Sequence, residues 1–376
     1  MKTAFIYSSD FVRFDYGFGH PLNPIRLKLT YELIKACGLL SPNDQRLVEP
    51  FPASVEDLLT FHTSEYIDML QSSNGGQQIA GAELFGLGSA DNPIFQGVFD
   101  GSLLVAGASL RAAELVDSGV ADVAFNIAGG LHHAMADHAS GFCYINDAVI
   151  AIKSLVSRGR RVAYIDIDAH HGDGVQAAFY DTDQVLTISL HETGRTLFPG
   201  TGFEQEIGVG SGKGYSVNVP LPPESDDELF TYAFQEVVPK IIKPFNPDIV
   251  VSQLGVDTFH NDPLAHLNLT TAGFCNIVSM IKLLAPKWLA LGGGGYNIAN
   301  VARAWTLAWA IMNDAVVPEY IPENFLQNYS GAGSYRRQLR DEPFTLEKRL
   351  KEEIKDDVDR VIAHIKTKIL PSFFYK

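Results

Sequence analysis

Tyr164-Ile-Asp-Ile-Asp-Ala-His-His-Gly-Asp-Gly-Val175 runs from an apolar strand directly into a knot of ionisable side chains. Val162, Ala163, Tyr164 and Ile165 form the short apolar run expected of a strand buried in a parallel sheet. Three carboxylates and two imidazoles follow within the eight residues Asp166 to Asp173. If the extended form persists, Asp166, Asp168 and His170 point the same way. Isolated charges at the end of a buried strand cost several kcal/mol or more, so the cluster needs partners. One solution is a structural ion-pair network. A divalent cation is more economical for so dense a group, with Asp168 and His170 as ligands and Asp166 and Asp173 left to orient imidazoles.

Working outward, apolar runs recur at Thr3–Tyr7, Asp122–Ile127, Val185–His191, Asp248–Leu254 and Trp288–Leu291, separated by helical patterns. Polar or Gly-rich clusters close most of them: Gly129-Gly-Leu-His-His133, Gly255-Val-Asp257 and Gly292-Gly-Gly-Gly-Tyr296. Strands alternating with helices, with the polar clusters at strand carboxyl ends, predict an open parallel α/β sheet with its site along one edge. No repeat or Pro/Ser-rich linker divides the chain, so residues 1–376 read as one domain. Ser72 to Asn92 and Phe198 to Gly214 read as long loops. Leu346, Leu350, Ile354 and Val358 recur among charges, predicting an amphipathic tail helix over about 345–370 that packs on the body.

The chain has 376 residues, 46% hydrophobic and 19% charged, with a formal net charge of −15. That balance suits a large core and opposes non-specific binding to nucleic acid or anionic membrane. It tolerates cationic substrates. The three cysteines, Cys37, Cys143 and Cys275, are widely spaced and imply no disulfide framework, so a reducing cytoplasm is expected. No apolar run reaches membrane-spanning length.

The third metal ligand should come from a neighbouring strand end, where Asp257 is the best candidate. Two carboxylates and one imidazole leave a position open for water, as catalytic sites do. Zn²⁺ suits that set, and Fe²⁺ accepts the same ligand types. His132 and His133 follow two glycines whose freedom lets the backbone present both rings to one site, as general base and electrostatic partner. Tyr296, after the glycine run, can donate to a developing oxyanion. Arg26, on a helix begun by Asn23-Pro24, reads from spacing alone as an ordinary ion pair.

Taken together, Ala128-Gly-Gly-Leu-His-His133, Gly141-Phe-Cys-Tyr-Ile-Asn146, Asp166 to Gln176, His191, Phe198-Pro-Gly-Thr-Gly202, Leu254-Gly-Val-Asp257 and Gly292 to Tyr296 resemble the histone deacetylase family, in its class I and bacterial acetoin-utilisation types. The resemblance implies the arginase–deacetylase fold, a parallel sheet of about eight strands. It implies Zn²⁺ on Asp168, His170 and Asp257, and hydrolysis of acetyl-lysine in proteins. It gives His133, paired with Asp173, the general base and acid role, and His132, paired with Asp166, the electrostatic one. Phe142 and Phe198 become facing walls of a narrow tunnel lined by Gly141, with Leu264 at its mouth. Asp91 would hold the substrate backbone at the rim, and Arg26 would lie in an internal cavity. K⁺ is expected at two sites: one using main-chain oxygens of Asp166, Asp168 and His170 with Ser189 and Leu190, the other using Phe179, Thr182, Val185 and Tyr215.

Alternatives stay open. Urea-hydrolysing relatives of the fold use two metals, but Gly172 and Phe259 stand where their extra carboxylates are needed. Acetylpolyamine hydrolysis uses the same chemistry on a small amine. A module that binds acetyl-lysine without cleaving it has no use for His132, His133, Asp173 and Tyr296.

Overall fold

Buried, β-branched and aromatic runs pair side by side to form the sheet of a computed structural model that describes residues 1–41, 44–329, 331 and 335–374. Its strands are β1 (Thr3–Ile6), β2 (Leu47–Val48), β3 (Val123–Asn126), β4 (Val162–Asp166), β5 (Val185–Glu192), β6 (Ser216–Leu221), β7 (Ile249–Gln253) and β8 (Trp288–Leu291). They form one 8-stranded sheet in the order β2-β1-β3-β8-β7-β4-β5-β6. Every pairing is parallel. β3, β4, β7 and β8 are buried along their whole length, which is why they read as continuous apolar runs rather than alternating ones.

Parallel strands need crossovers, and helices supply them on both faces. The helix Val98–Asp117 packs against Asp147–Ser157, Ile25–Ala36 against Ile298–Met312, and Asp227–Phe245 against Thr271–Leu284. Trp288, Trp305 and Trp309 are among the largest fully buried side chains of the core. Among the described residues, no helix is long and apolar enough to cross a membrane.

The structure departs from the sequence reading in several places. β2 and β6 lie outside the apolar runs that predict strands, and a 3-10 turn, Ala82–Phe85, interrupts the loop after Ser72. The tail forms a helix over Lys348–Lys368, against Asp227–Phe245 and β6, with Ile354, Val358, Ile362 and Ile365 buried. Leu350 is 37% exposed, because the apolar stripe begins only where the helix meets the body, and Leu346 is buried ahead of it. The extended form also ends at Asp166 rather than continuing to His170. The carboxylates therefore converge through turns and backbone hydrogen bonds, not through strand alternation.

Candidate active site

The four adjacent central strands, β3, β8, β7 and β4, deliver their carboxyl ends to one crevice, where parallel sheets gather ligands. Each brings a different part. The loop after β3 carries His132 and His133, the turn after β4 carries Asp168 and His170, Asp257 follows β7, and the glycine run and Tyr296 follow β8.

Asp168, His170 and Asp257 are all buried, and each offers a ligand atom within 4.8 Å of the others. His170 Nδ1 lies 3.1 Å from Asp168 Oδ1 and 2.9 Å from Asp257 Oδ2. The carboxylates are aimed by backbone and amide donors. Gln253 Nε2 donates to Asp168 Oδ2 at 2.6 Å and Gly294 N–H donates to the same oxygen at 2.7 Å. Ala169 N–H donates to Asp257 Oδ1 at 2.9 Å. Burial, and then the Asp168 charge, push the Asp257 carboxyl up to about 7. Two close carboxylates in a dry pocket thus resist sharing it as anions, which is the situation a divalent cation relieves. The donor set and its spacing fit a metal ion. Glycine is required around it: a Cβ at Gly294 would overlap Asp257 Oδ2, and one at Gly255 would overlap Asp168 Oδ2.

Beside this cluster, His132 Nδ1 meets Asp166 Oδ2 at 2.8 Å and His133 Nδ1 meets Asp173 Oδ1 at 2.7 Å. The two Nε2 atoms face each other at 3.0 Å. Gly130, at φ +90°, makes the turn that lets neighbouring imidazoles share one side. Asp147 fixes that turn by accepting Gly130 N–H at 3.1 Å and Leu131 N–H at 2.8 Å. The electrostatics divide the pair. Burial pulls His132 down, but the Asp166, Asp168 and Asp173 carboxylates more than reverse it, to about 9. Burial and the His132 charge hold His133 down at about 4.

Aromatic walls rise above the imidazoles. The Phe198 ring lies 5.0 Å from that of His133 and 6.4 Å from that of His170. The Phe142 ring lies 5.6 Å from Tyr296, whose ring is 6.4 Å from His170. Gly141 and Phe142 both have positive φ, +51° and +67°, in the tight turn closed by Cys143 N–H to Ser140 O at 2.8 Å. A Cβ at Gly141 would press on the rings of His133 and Phe198. Tyr16 Oη donates to Phe142 O at 2.8 Å and steadies the turn.

A family model for the histone deacetylase domain matches residues 20–312. The chain is 41% identical over 333 residues to histone deacetylase 1 of Homo sapiens, covering 88% of this chain and 68% of that protein. The probable histone deacetylase 1-A of Xenopus laevis matches to the same 41% identity over 333 residues.

The chain belongs to the histone deacetylase family.

Among solved structures, an HDAC homologue complexed with SAHA superposes with a TM-score of 0.89 at 36% identity, covering 96% of this chain and 100% of that one. An HDAC homologue from Aquifex aeolicus gives 0.88 at 35%. The fold is accordingly the arginase–deacetylase fold of this family, and the chain is a deacetylase-family hydrolase with a cluster able to hold a metal ion.

Arg26 is buried, donates from Nη1 to Gly295 O at 3.1 Å and lies over the Trp305 ring, so among the described residues its contacts are a carbonyl and an indole face rather than an ion pair. Together with Leu22 and Leu131 it lines both the cavity under Tyr296 and an adjoining apolar one. Asp91 is exposed at the rim, its carbonyl accepting from His20 Nε2 at 3.1 Å while the His20 ring packs on Phe142. Leu264 follows β7, its N–H bound to Asp262 Oδ1 at 3.0 Å. Asp166 pairs in register with Ser189 on β5, beside Leu190, and Ser189 Oγ contacts His191 Nδ1 at 2.7 Å. Phe179, Thr182, Val185 and Tyr215 lie near the amino ends of β5 and β6, away from the crevice.

Sequence reasoning missed Gln253, Tyr164, Asp147 and Asp262. Tyr164 Oη donates to Asp166 Oδ2 at 2.6 Å. Gln253 left a visible signal, as the lone amide that follows Ser252 at the end of the apolar run Ile249-Val-Val251.

Proposed function

We propose that this protein is a Zn²⁺-dependent protein lysine deacetylase. The observation that carries the reading is the meeting of two imidazole–carboxylate pairs, Nε2 to Nε2 at 3.0 Å, beside the Asp168, His170 and Asp257 cluster. A site that only binds acetyl-lysine needs no such proton-handling pair.

Asp168, His170 and Asp257 would hold the ion. Bound there, Zn²⁺ supplies Lewis acidity for the amide carbonyl and acidifies water. The remaining chemistry belongs to the chain. His133, kept neutral by burial and the His132 charge and oriented by Asp173, accepts the proton of the attacking water at Nε2 and returns it to the departing lysine amine. His132, kept cationic by Asp166, faces the reacting centre as a fixed positive charge. Burial holds the Tyr296 phenol well above its ordinary pKa, so it stays protonated and donates to the developing oxyanion. Phe142 and Phe198 flank the extended methylenes of the substrate lysine, Gly141 leaves room between them, Leu264 borders the mouth, and Asp91 holds the substrate backbone. Arg26 lines the cavity below.

We also assign K⁺ to the oxygens of Asp166, Asp168, His170, Ser189 and Leu190, and to those of Phe179, Thr182, Val185 and Tyr215. Cys37, Cys143 and Cys275 are all free thiols, which supports a reducing, cytoplasmic setting.

The test compares kcat/KM for an acetyl-lysine peptide and an acetylpolyamine, using chelator-stripped protein reloaded with Zn²⁺ or Fe²⁺. Preference for the peptide with Zn²⁺ is expected. A strong polyamine preference overturns the substrate assignment, and higher activity with Fe²⁺ overturns the metal.

A further inference from the structure

A single peptide unit, the one joining Gly295 to Tyr296, is gripped at both ends. Arg26 Nη1 donates to its carbonyl at 3.1 Å, and its N–H donates to Asp262 Oδ2 at 2.8 Å. Asp262 Oδ2 also accepts Asn297 N–H at 3.3 Å, while Oδ1 accepts Leu264 N–H at 3.0 Å. Asp262 is only 8% exposed and, among the described residues, pairs with no Lys, Arg or His within salt-bridge distance. A carboxylate buried without a counter-ion costs several kcal/mol unless donors converge on it, and here they come from the segments that carry Tyr296 and Leu264.

The need for such a restraint is local. Gly293 and Gly295 have φ +118° and +133°, so the glycine run that makes room for the carboxylates has little stiffness of its own. The phenol hydroxyl lies roughly 6.5 Å from its Cα, so a turn of the peptide plane by about 10° displaces it by about 1 Å, enough to cost a large factor in rate. Behind Asp262 the loop is anchored again. Asn261 Oδ1 accepts from Asn300 Nδ2, Asn300 Oδ1 accepts from Arg303 Nη2 at 2.8 Å, and Arg303 Nη1 reaches Asp341 Oδ1 at 2.7 Å. Asp341 lies beyond residue 312, where the family match ends.

We propose that Asp262 is the positioning residue for Tyr296. It fixes the Gly295–Tyr296 peptide plane and so aims the phenol, and the Asn261–Asn300–Arg303–Asp341 chain holds it in place from the C-terminal segment. The inference rests on the reading of Tyr296 as the oxyanion donor.

A double-mutant cycle on the Zn²⁺-loaded full chain tests it, with Asp262→Asn, Tyr296→Phe and the pair assayed on an acetyl-lysine peptide. Asp262→Asn should lower kcat about tenfold or more with KM within about twofold, and should add almost nothing in the Tyr296→Phe background. Independently of activity, hydrogen exchange should accelerate at the Tyr296 and Asn297 amides and not across the chain. The inference is overturned if kcat stays within about twofold of the parent, if the two losses multiply, or if exchange accelerates everywhere. Should Asp262→Asn not fold, Asp262→Glu, which keeps the charge but moves it, is judged by the same cycle. A parent without turnover, or a Tyr296→Phe variant as fast as the parent, removes the functional reading itself. A flat Asp262 result with both of those controls intact removes this inference alone.

Discussion

The Nε2 atoms of His132 and His133 stand 3.0 Å apart while their Nδ1 atoms reach different carboxylates, Asp166 and Asp173. With each Nδ1–H given to a carboxylate, only one proton fits between the two rings. The acid-rich side of His132 claims it, and His133 is left with a lone pair. Replacing His133 by alanine should therefore lower kcat at least ~100-fold, and His132→Ala should cost less. Steady-state kinetics on an acetyl-lysine peptide, with metal content checked for each variant, decides the order. Equal retention of activity in both variants sinks the division of roles.

Gly294→Ala tests whether the glycine run exists to clear space for an ion. The new methyl would overlap Asp257 Oδ2 and crowd Asp168. Zinc affinity, measured by chelator competition, should fall by about tenfold or more, while the helix content and the core stay as in the parent. Unchanged affinity would mean the carboxylates can move aside freely.

His62 links stability to pH at a distance from the chemistry. Its Nε2 accepts Asn146 N–H at 3.0 Å, and burial lowers its pKa from 6.5 to about 4. Between those values the unfolded chain binds the extra proton, so the contribution of His62 is intact above pH 6.5 and disappears as pH falls towards 4. From pH 7 to pH 5 this amounts to about 2 kcal/mol. His62→Gln should flatten the denaturation free energy over that window by that amount, as read from urea unfolding at several pH values.

Arg303 and Asp341 form a buried pair whose side chains are 3% and 1% exposed. Removing one charge strands the other. Asp341→Ala should cost about 3–5 kcal/mol and lower the melting temperature accordingly. A change below about 1 kcal/mol, the scale of surface pairs, would mean that solvent reaches Arg303.

The strands that carry the chemistry were legible because both their faces are buried. β4, β7 and β8 leave no room for polar alternation, and a run such as Ile249-Val-Val stands out. The edges were not. β6, Ser216-Val-Asn-Val-Pro-Leu221, carries a proline that argues against a strand, yet it is tolerated because β6 is the outermost strand beside β5. β2 has two residues and no periodicity to detect. Asp168, His170 and Asp257 declared themselves as charges at strand ends. Asp262 did not, since an Asp among Asn261 and Pro263 in a loop resembles ordinary turn chemistry until the fold brings Tyr296 to it.

The ionisable cluster is mounted on the four innermost strands, whereas Asp91 precedes the helix Val98–Asp117 and Phe198 follows β5, and only Leu264 shares a loop, the one after β7, with Asp257. Hearth and doorway share a foundation at Leu264 and part company at Asp91 and Phe198. Under the proposed function, descent with modification can recut the doorway at Asp91 and Phe198, admitting a bulkier or differently charged guest, without disturbing the fire.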